Sequence, residues 1–205
     1  MSELTLGFAL TGSFCTFSRV LPVVEELARR YGRIVPILSE HSAATDTRFG
    51  RAEEHIAALR RICGAEPITS IAAAEPIGPK KLLDLLVIAP CTGNTLGKLA
   101  HGITDTCVTM AAKAHLRNGR PLVLAVSTND GLTASLANLG KLSCRRHVYL
   151  VPFQQDDPVH KPASLVAVME RIPETVKLAL RGEQIQPVVL GPFGGGGASR
   201  GLNDA

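Results

Sequence analysis

Short apolar runs alternate with amphipathic segments along most of this 205-residue chain, and this alternation limits its possible folds more than any other feature. Each apolar run is followed by a polar loop and then by apolar residues at helical spacing. A repeating order of strand, loop and helix is typical of a parallel sheet with helices on both faces. The sequence therefore predicts an α/β fold with a doubly wound, mostly parallel sheet, a flavodoxin/Rossmann-like three-layer domain. We expect about six parallel strands, a common sheet size.

The individual elements follow from the same patterns. The predicted strands are 4–10, 34–38, 85–89, 121–126 and 148–151. The predicted helices are 17–28, 52–63, 96–100, 106–116, 132–142 and 164–180. Residues 39–46 are expected to form a polar loop. Gly32 should end the first helix, and Pro173 should kink or break the last one.

The composition excludes several classes of protein. Hydrophobic residues make up 45% of the chain, so it has the apolar surface that disordered proteins lack. No window reaches the roughly 18 uninterrupted apolar residues of a membrane-spanning helix, so we expect no membrane partner. The first residues lack the basic segment of a signal peptide. We predict one domain over 1–190 and a flexible tail over 191–205, because the glycines at 194–197 disfavour packing.

Charge and cysteine content exclude further classes. The net charge is only +4, the Lys and Arg residues are scattered, and the aromatic residues are six Phe and two Tyr. A nucleic-acid partner is therefore not expected. The five cysteines include no CxxC pair, which predicts neither a zinc site nor a disulfide framework, and no metal is expected. Reduced thiols favour a cytoplasmic location.

Small polar residues follow the predicted strands at the positions where an open α/β sheet binds its ligands. They lie in segments 11–13, 90–95 and 127–130, with Ser39 after the second strand. Hydroxyl and backbone N–H groups near helix N-termini bind phosphate well. Each segment alone is also explained by helix capping. The dinucleotide and P-loop glycine fingerprints are both missing from the sequence.

A family resemblance rests on three segments of the sequence: GFALTGSFCTF, VIAPCTGNTLGKLAHGITDT and VLAVSTNDGL. They resemble the flavoprotein superfamily of homo-oligomeric flavin-containing cysteine decarboxylases and the related flavin prenyltransferases. Four further segments are similar to the B-subunit family of dipicolinate synthase: TRFG, AEPIGPK, MAAKAHLRNGRPLVLAVSTND and PFQQDDPVHKPASLVA. The resemblance covers about 1–190.

The resemblance implies an FMN cofactor and a set of residues around it. Asn129 would face the flavin and the substrate, and Arg48 would bind a substrate carboxylate. The residues implied to bind the cofactor are Thr11, Gly12, Ser13, Ser39, Pro90, Thr92, Asn94, Thr95, Ser127 and Thr128. His41 is the histidine nearest to this predicted site, and Cys15 is a cysteine adjacent to it.

The resemblance also implies an activity and partners. The B subunit of a dipicolinate synthase would act with a dehydrogenase-like A subunit, which carries NAD(P), to oxidise dihydrodipicolinate to dipicolinate during spore formation. The substrate is a small dicarboxylate, so Lys80, Lys81, Lys113 and Arg117 are further candidates for binding carboxylates, alongside Arg48. A homo-oligomer is also implied by the superfamily.

Two alternative functions remain open at this point. One is a stand-alone FMN-dependent decarboxylase. The decarboxylases carry a catalytic histidine fourteen residues before the first proline of their second motif, and this position is Pro76 here. Proline has no group to transfer a proton, which disfavours this alternative. The other is a non-catalytic partner subunit without flavin.

Overall fold

A seven-stranded mixed sheet forms the centre of the structure, a computed structural model that describes residues 4–191. Its strands are β1 (Thr5–Leu10), β2 (Arg33–Leu38), β3 (Leu85–Cys91), β4 (Leu122–Thr128), β5 (Val148–Leu150), β6 (Phe153–Asp157) and β7 (Lys161–Ala167). Strands β2, β1, β3, β4 and β5 are parallel neighbours in that order. The tail predicted at 191–205 lies outside the described residues, apart from Gly191.

Helices connect the parallel strands and cover the sheet. They are α1 (Phe17–Tyr31), α2 (Glu40–Ala44), α3 (Ala52–Cys63), α4 (Ile71–Ala74), α5 (Gly93–His101), α6 (Cys107–Leu116), α7 (Leu136–Ser143) and α8 (Ile172–Ala179). Helix α1 packs against α3 and α8, whereas α5 packs against α6 and α7. The doubly wound α/β fold predicted from the sequence is therefore confirmed. None of the helices in 4–191 combines the length and the apolar character needed to cross a bilayer.

The central strands are buried because helices cover them. Every residue of β3 is buried, and so is β1 from Leu6 onward. Parallel strands that are covered by helices on both faces are continuous apolar runs in the sequence. This is the pattern from which these strands were predicted. Gly32 ends α1 at a φ of 80°, a backbone conformation that glycine adopts without strain. The predicted end of the first helix is thus confirmed.

The prediction of a helix over 164–180 is wrong in its first part. Residues up to Ala167 belong to β7, which pairs antiparallel with β6 and with the end of β4. Pro173 lies in the first turn of α8, where its missing N–H is tolerated, so it marks a helix start rather than a break. The sheet therefore has five parallel strands and an antiparallel hairpin, not about six parallel strands. The predicted loop at 39–46 also contains α2.

Strand β4 changes partners along its length, and this positions the hairpin. Residues Leu122–Leu124 pair with β5. Further along, Ser127 and Thr128 pair with Val166 and Leu165 of β7 instead. The β6–β7 hairpin is thereby placed at the carboxyl ends of the parallel strands, where open α/β sheets bind ligands.

A buried histidine predicts how stability depends on pH. His115 is 1% exposed, and its Nε2–H donates to the Pro121 carbonyl over 2.9 Å. Burial lowers its pKa from 6.5 to about 4. The unfolded chain binds the proton first, so stability is constant above about pH 6.5 and falls as the pH decreases toward 4. We expect a loss of about 2 kcal/mol at pH 5 relative to pH 7.5.

Urea unfolding at the two pH values measures this loss. His115→Gln keeps an N–H donor but does not titrate, so the difference between pH 7.5 and pH 5 should shrink by about 2 kcal/mol in that variant. His101→Gln, at an exposed position on α5, is the matched control and should leave the difference as it is. An unchanged pH dependence in His115→Gln would contradict the prediction.

Candidate functional site

Two adjoining cavities open at the carboxyl edge of the parallel strands. The first cavity has a volume of about 750 Å³ and the second about 860 Å³. Gly12 and Thr92 line both, so they form the shared wall. Of the predicted site residues, the first cavity is also lined by Ser13, Arg48, Ser127, Thr128 and Asn129. The second is also lined by Thr11, Ser39, Asn94 and Thr95.

Hydrogen bonds between β1 and β3 fix the shared wall. Thr11 is 2% exposed, and its hydroxyl donates to the carbonyl of Pro90 over 2.7 Å. The same Thr11 oxygen accepts from the Thr92 backbone N–H at 3.1 Å. Pro90 is buried beneath the cavities and is not part of their lining. These contacts hold the loops that follow the two strands together.

Helix α5 starts at the second cavity. Thr92 caps it by accepting a hydrogen bond from the Thr95 N–H at 3.3 Å. The Thr92 hydroxyl in turn donates to the Thr95 hydroxyl at 3.1 Å. Gly93 and Asn94 carry the first N–H groups of α5, which have no carbonyl partner within a helix. An anion placed here would meet these N–H groups and the positive end of the helix dipole.

Three charged side chains beside the second cavity, Glu40, Lys98 and Asp105, were not predicted from the sequence. Glu40 accepts a hydrogen bond from the Cys107 N–H at 2.7 Å, so a protein carboxylate already occupies the N-terminus of α6. Lys98 forms a 2.9 Å ion pair with Asp105. His41 lines this cavity too, as expected from its place after β2. The α5 N-terminus is therefore the better place for an anion in the second cavity.

In the first cavity, hydroxyl groups from β1 and β4 meet. The Ser13 and Ser127 oxygens are 2.9 Å apart and share one hydrogen bond. Thr128 and the exposed Asn129 follow Ser127 on the same wall. The structure thus brings Ser13 and Asn129 to one rim, as the sequence predicted, with Asn94 on the other side of the shared wall.

Three cationic side chains line the first cavity. Arg19 forms a bidentate pair with Glu170, and Lys161 is 2.8 Å from Asp156. Arg48 stacks on the ring of Phe49 at 4.8 Å, and the described residues place no carboxylate within ion-pair distance of it. Its guanidinium is therefore the one best able to bind an added carboxylate.

Sequence reasoning missed Arg19 and Lys161 for identifiable reasons. Arg19 reaches the cavity from the exposed side of α1. In the sequence, this side has the pattern of a helix surface that faces solvent. Lys161 begins β7, next to the segment that was predicted as a helix. The sequence signal that could have found Lys161 is the Asp-Asp-Pro run at 156–158, which favours a turn, because a turn between two strands implies a hairpin.

Four other cations predicted to bind carboxylates lie away from both cavities. Lys80 and Lys81 precede β3, at the opposite edge of the sheet. Lys113 and Arg117 line a separate pocket of about 210 Å³ beside α6. None of the four lines either cavity, so the structure does not bring them to the site.

The cysteines near the site differ in their exposure. Cys91 is fully buried, and burial raises the pKa of its thiol to about 12, so it stays protonated. Cys15 is exposed at the first cavity, with its sulfur 3.8 Å from the Ser13 hydroxyl. A nucleophilic role for Cys91 is therefore excluded by its environment.

Comparison with known proteins settles the family. The flavoprotein family profile matches residues 1–175, a range that includes every lining residue of both cavities. The chain belongs to the flavoprotein family. The resemblance predicted from the three sequence segments is thus confirmed.

Two similar proteins match almost the whole chain, and a third shares its fold. The B subunit of dipicolinate synthase from Bacillus subtilis (strain 168) is 45% identical over 190 residues, which are 93% of this chain and 95% of that protein. The crystal structure of the corresponding dipicolinate synthase B subunit from Bacillus halodurans C has a TM-score of 0.84 at 46% identity, covering 93% and 97% of the two chains. Burkholderia xenovorans DmrB, solved in complex with FMN, shares the fold with a TM-score of 0.60 at 22% identity, over 73% of this chain and 88% of that one.

The residues present fit a flavin mononucleotide. Its ring system and phosphate need adjoining spaces, and each cavity has the size of a ligand site. Gly12 lies between them and adds no side chain to the wall that they share. A Cβ atom there would meet only His41 and Phe14, at 3.7 and 3.8 Å, so packing does not require glycine. The missing side chain instead leaves space beside the wall that the two cavities share.

Proposed function

We propose that this chain is the B subunit of dipicolinate synthase and works with an A subunit that carries NAD(P). The reaction is the oxidation of dihydrodipicolinate to dipicolinate, in which the substrate loses two electrons and two protons. The single observation that carries the proposal is a cation-lined cavity that shares a wall at Gly12 with a second cavity at a helix N-terminus, in a chain 45% identical to a dipicolinate synthase B subunit.

FMN is the proposed cofactor, with its phosphate at the N-terminus of α5. The N–H groups of Gly93 and Asn94 and the amide of Asn94 would hold the phosphate. The hydroxyls of Ser39 and Thr92 already donate to protein oxygens, so they would mainly shape that end of the cavity. When bound, FMN supplies the capacity to accept and release a hydride. Family membership supports this choice, and FMN is also the group solved with DmrB.

The first cavity is the proposed place of the dicarboxylate. Arg48 would bind one carboxylate bidentately, since its guanidinium has no carboxylate partner among the described residues. The Ser13–Ser127 pair uses one of its two hydroxyl protons internally and can donate the other. Asn129 would orient the ring of the substrate from the wall that also carries Ser127. Homo-oligomer formation and a cytoplasmic location remain predictions.

Purification of the chain alone, and together with the A subunit of the same source, tests the proposal. We expect flavin absorbance in the chain, FMN binding by fluorescence quenching, and dihydrodipicolinate oxidation only when both subunits are present. Turnover by the isolated chain would favour a decarboxylase or another stand-alone enzyme. Full activity of the A subunit with a flavin-free chain would favour a non-catalytic partner.

Arg48→Gln tests the dicarboxylate site within this assay. Losing a bidentate charged hydrogen bond should raise the KM for the dicarboxylate by about tenfold or more. Arg146→Gln, at an exposed position before β5 on the opposite edge, is the matched control and should keep the original KM. Equal KM values in the two variants would exclude Arg48 from substrate binding.

A further inference from the structure

Asp130 lies directly behind the first cavity and holds two hydroxyl groups with one oxygen. Its Oδ1 accepts hydrogen bonds from Thr128 Oγ1 and from Ser135 Oγ, the second at 2.9 Å. Thr128 is part of the cavity lining, whereas Asp130 and Ser135 are not. Gly93 packs against all three groups, because a Cβ at its position would lie 2.6–2.8 Å from them. This cluster joins the end of β4 to the start of α5.

The charge of Asp130 determines the direction of these hydrogen bonds. The hydrogen bond from Thr128 lowers the pKa of the Asp130 carboxyl, so the group is ionised at neutral pH. An ionised carboxylate can only accept, and a threonine hydroxyl has a single proton to donate. Thr128 therefore gives its proton to Asp130 and presents only oxygen lone pairs to the cavity.

The neighbouring hydroxyls have the opposite character. Ser13 and Ser127 share one hydrogen bond between two hydroxyls, which leaves one proton available for a ligand. Arg48 adds further donors on the same cavity. The lining thus combines a region that donates, suited to an anion, with an acceptor at Thr128 that would repel one.

We propose that Asp130 is a positioning residue that makes Thr128 an obligatory acceptor, so that the ligand group facing Thr128 carries an N–H or an O–H. This inference rests on the proposed function in one respect, namely that a ligand occupies the first cavity. Asp130 acts through Thr128 and does not touch the ligand itself. Flavins and polyol chains offer such donors, whereas a fully ionised pyridine dicarboxylate offers none.

Binding of two probes to the full-length chain distinguishes a ligand that donates hydrogen bonds from one that only accepts them. FMN carries N–H and O–H donors, and pyridine-2,6-dicarboxylate at neutral pH carries only acceptors. Asp130→Ala should weaken FMN binding by up to about tenfold, because the Thr128 oxygen keeps its lone pairs but is no longer held as an acceptor by the carboxylate. The same variant should bind the dicarboxylate at least as well as the original chain, since a negative charge is removed and the Thr128 proton is freed.

Three further variants complete the test. Thr128→Val should weaken FMN binding at least as much as Asp130→Ala, and the double variant should be no weaker than Thr128→Val, because Asp130 acts only through Thr128. Asp130→Asn should restore FMN binding to within twofold, since its amide oxygen still accepts from Thr128. Ser135→Ala, which leaves the Thr128 contact in place, is the control and should stay within twofold of the original chain with both probes.

The outcomes distinguish the inference from the proposed function. If Asp130→Ala binds FMN normally, or weakens both probes alike, the inference is overturned and the proposed function stands. A double variant whose loss of FMN affinity equals the product of the two single losses would also overturn the inference. An original chain that binds neither probe would overturn both proposals.

Discussion

Replacing Gly12 with leucine is expected to lower the affinity for FMN by about 5- to 150-fold, since inserting a large side chain into a fitted space costs about 1–3 kcal/mol. Gly12 forms the wall shared by the two cavities, and its φ lies outside the left-handed region, so the backbone accepts leucine. The first atom of the new side chain would fit between His41 and Phe14. The remaining atoms would extend into the space proposed for the cofactor.

The control for this variant is the same substitution at Gly140. That glycine lies in α7 with no atom within 4 Å of an added Cβ, and it lines neither cavity. Gly140→Leu should therefore bind FMN like the original chain. Fluorescence quenching gives the affinities, and thermal unfolding should show that both variants remain folded. Normal FMN binding by Gly12→Leu would mean that the cofactor does not cross this wall.

The sequence located residues of the two cavity linings wherever a polar residue directly follows a buried strand. Ser13, Thr92 and Ser127 all follow or end apolar runs, and parallel strands bring such ends to the same edge of the sheet. A side chain that directly follows a parallel strand is therefore placed at this edge of the sheet. Thr11, Ser39 and Asn94 were found by the same reasoning.

The remaining site residues depend on contacts that no local pattern contains. Lys161 reaches the first cavity only because β4 changes partners and pairs with β7. Leu165, Val166 and Ala167 are all apolar although Val166 is only half-buried, so the sequence does not show the alternation of this strand. Asp130 was noticed only as part of a polar loop, because its partner Ser135 is defined by the turn that connects them.

Gly93→Ala should lower stability, because the added Cβ would clash with three hydrogen-bonded polar groups beside the site. The added Cβ would lie 2.6 Å from Thr128 Oγ1 and 2.8 Å from both Asp130 Oδ1 and Ser135 Oγ. These three groups are hydrogen-bonded to one another, so they cannot move apart without losing those bonds. We expect the free energy of unfolding to fall by about 1–3 kcal/mol, the range for overpacking.

Gly97→Ala provides a matched comparison within the same helix. A Cβ at Gly97 would have Asn138 Nδ2 as its nearest neighbour at 3.5 Å, which is an ordinary contact. Alanine is the better helix former, so this variant should gain about 0.5–1 kcal/mol. Urea unfolding of both variants measures the difference. If Gly93→Ala were as stable as Gly97→Ala, the cluster around Asp130 could not be packed as tightly as the structure indicates, and Thr128 would lose the contact that fixes its hydroxyl.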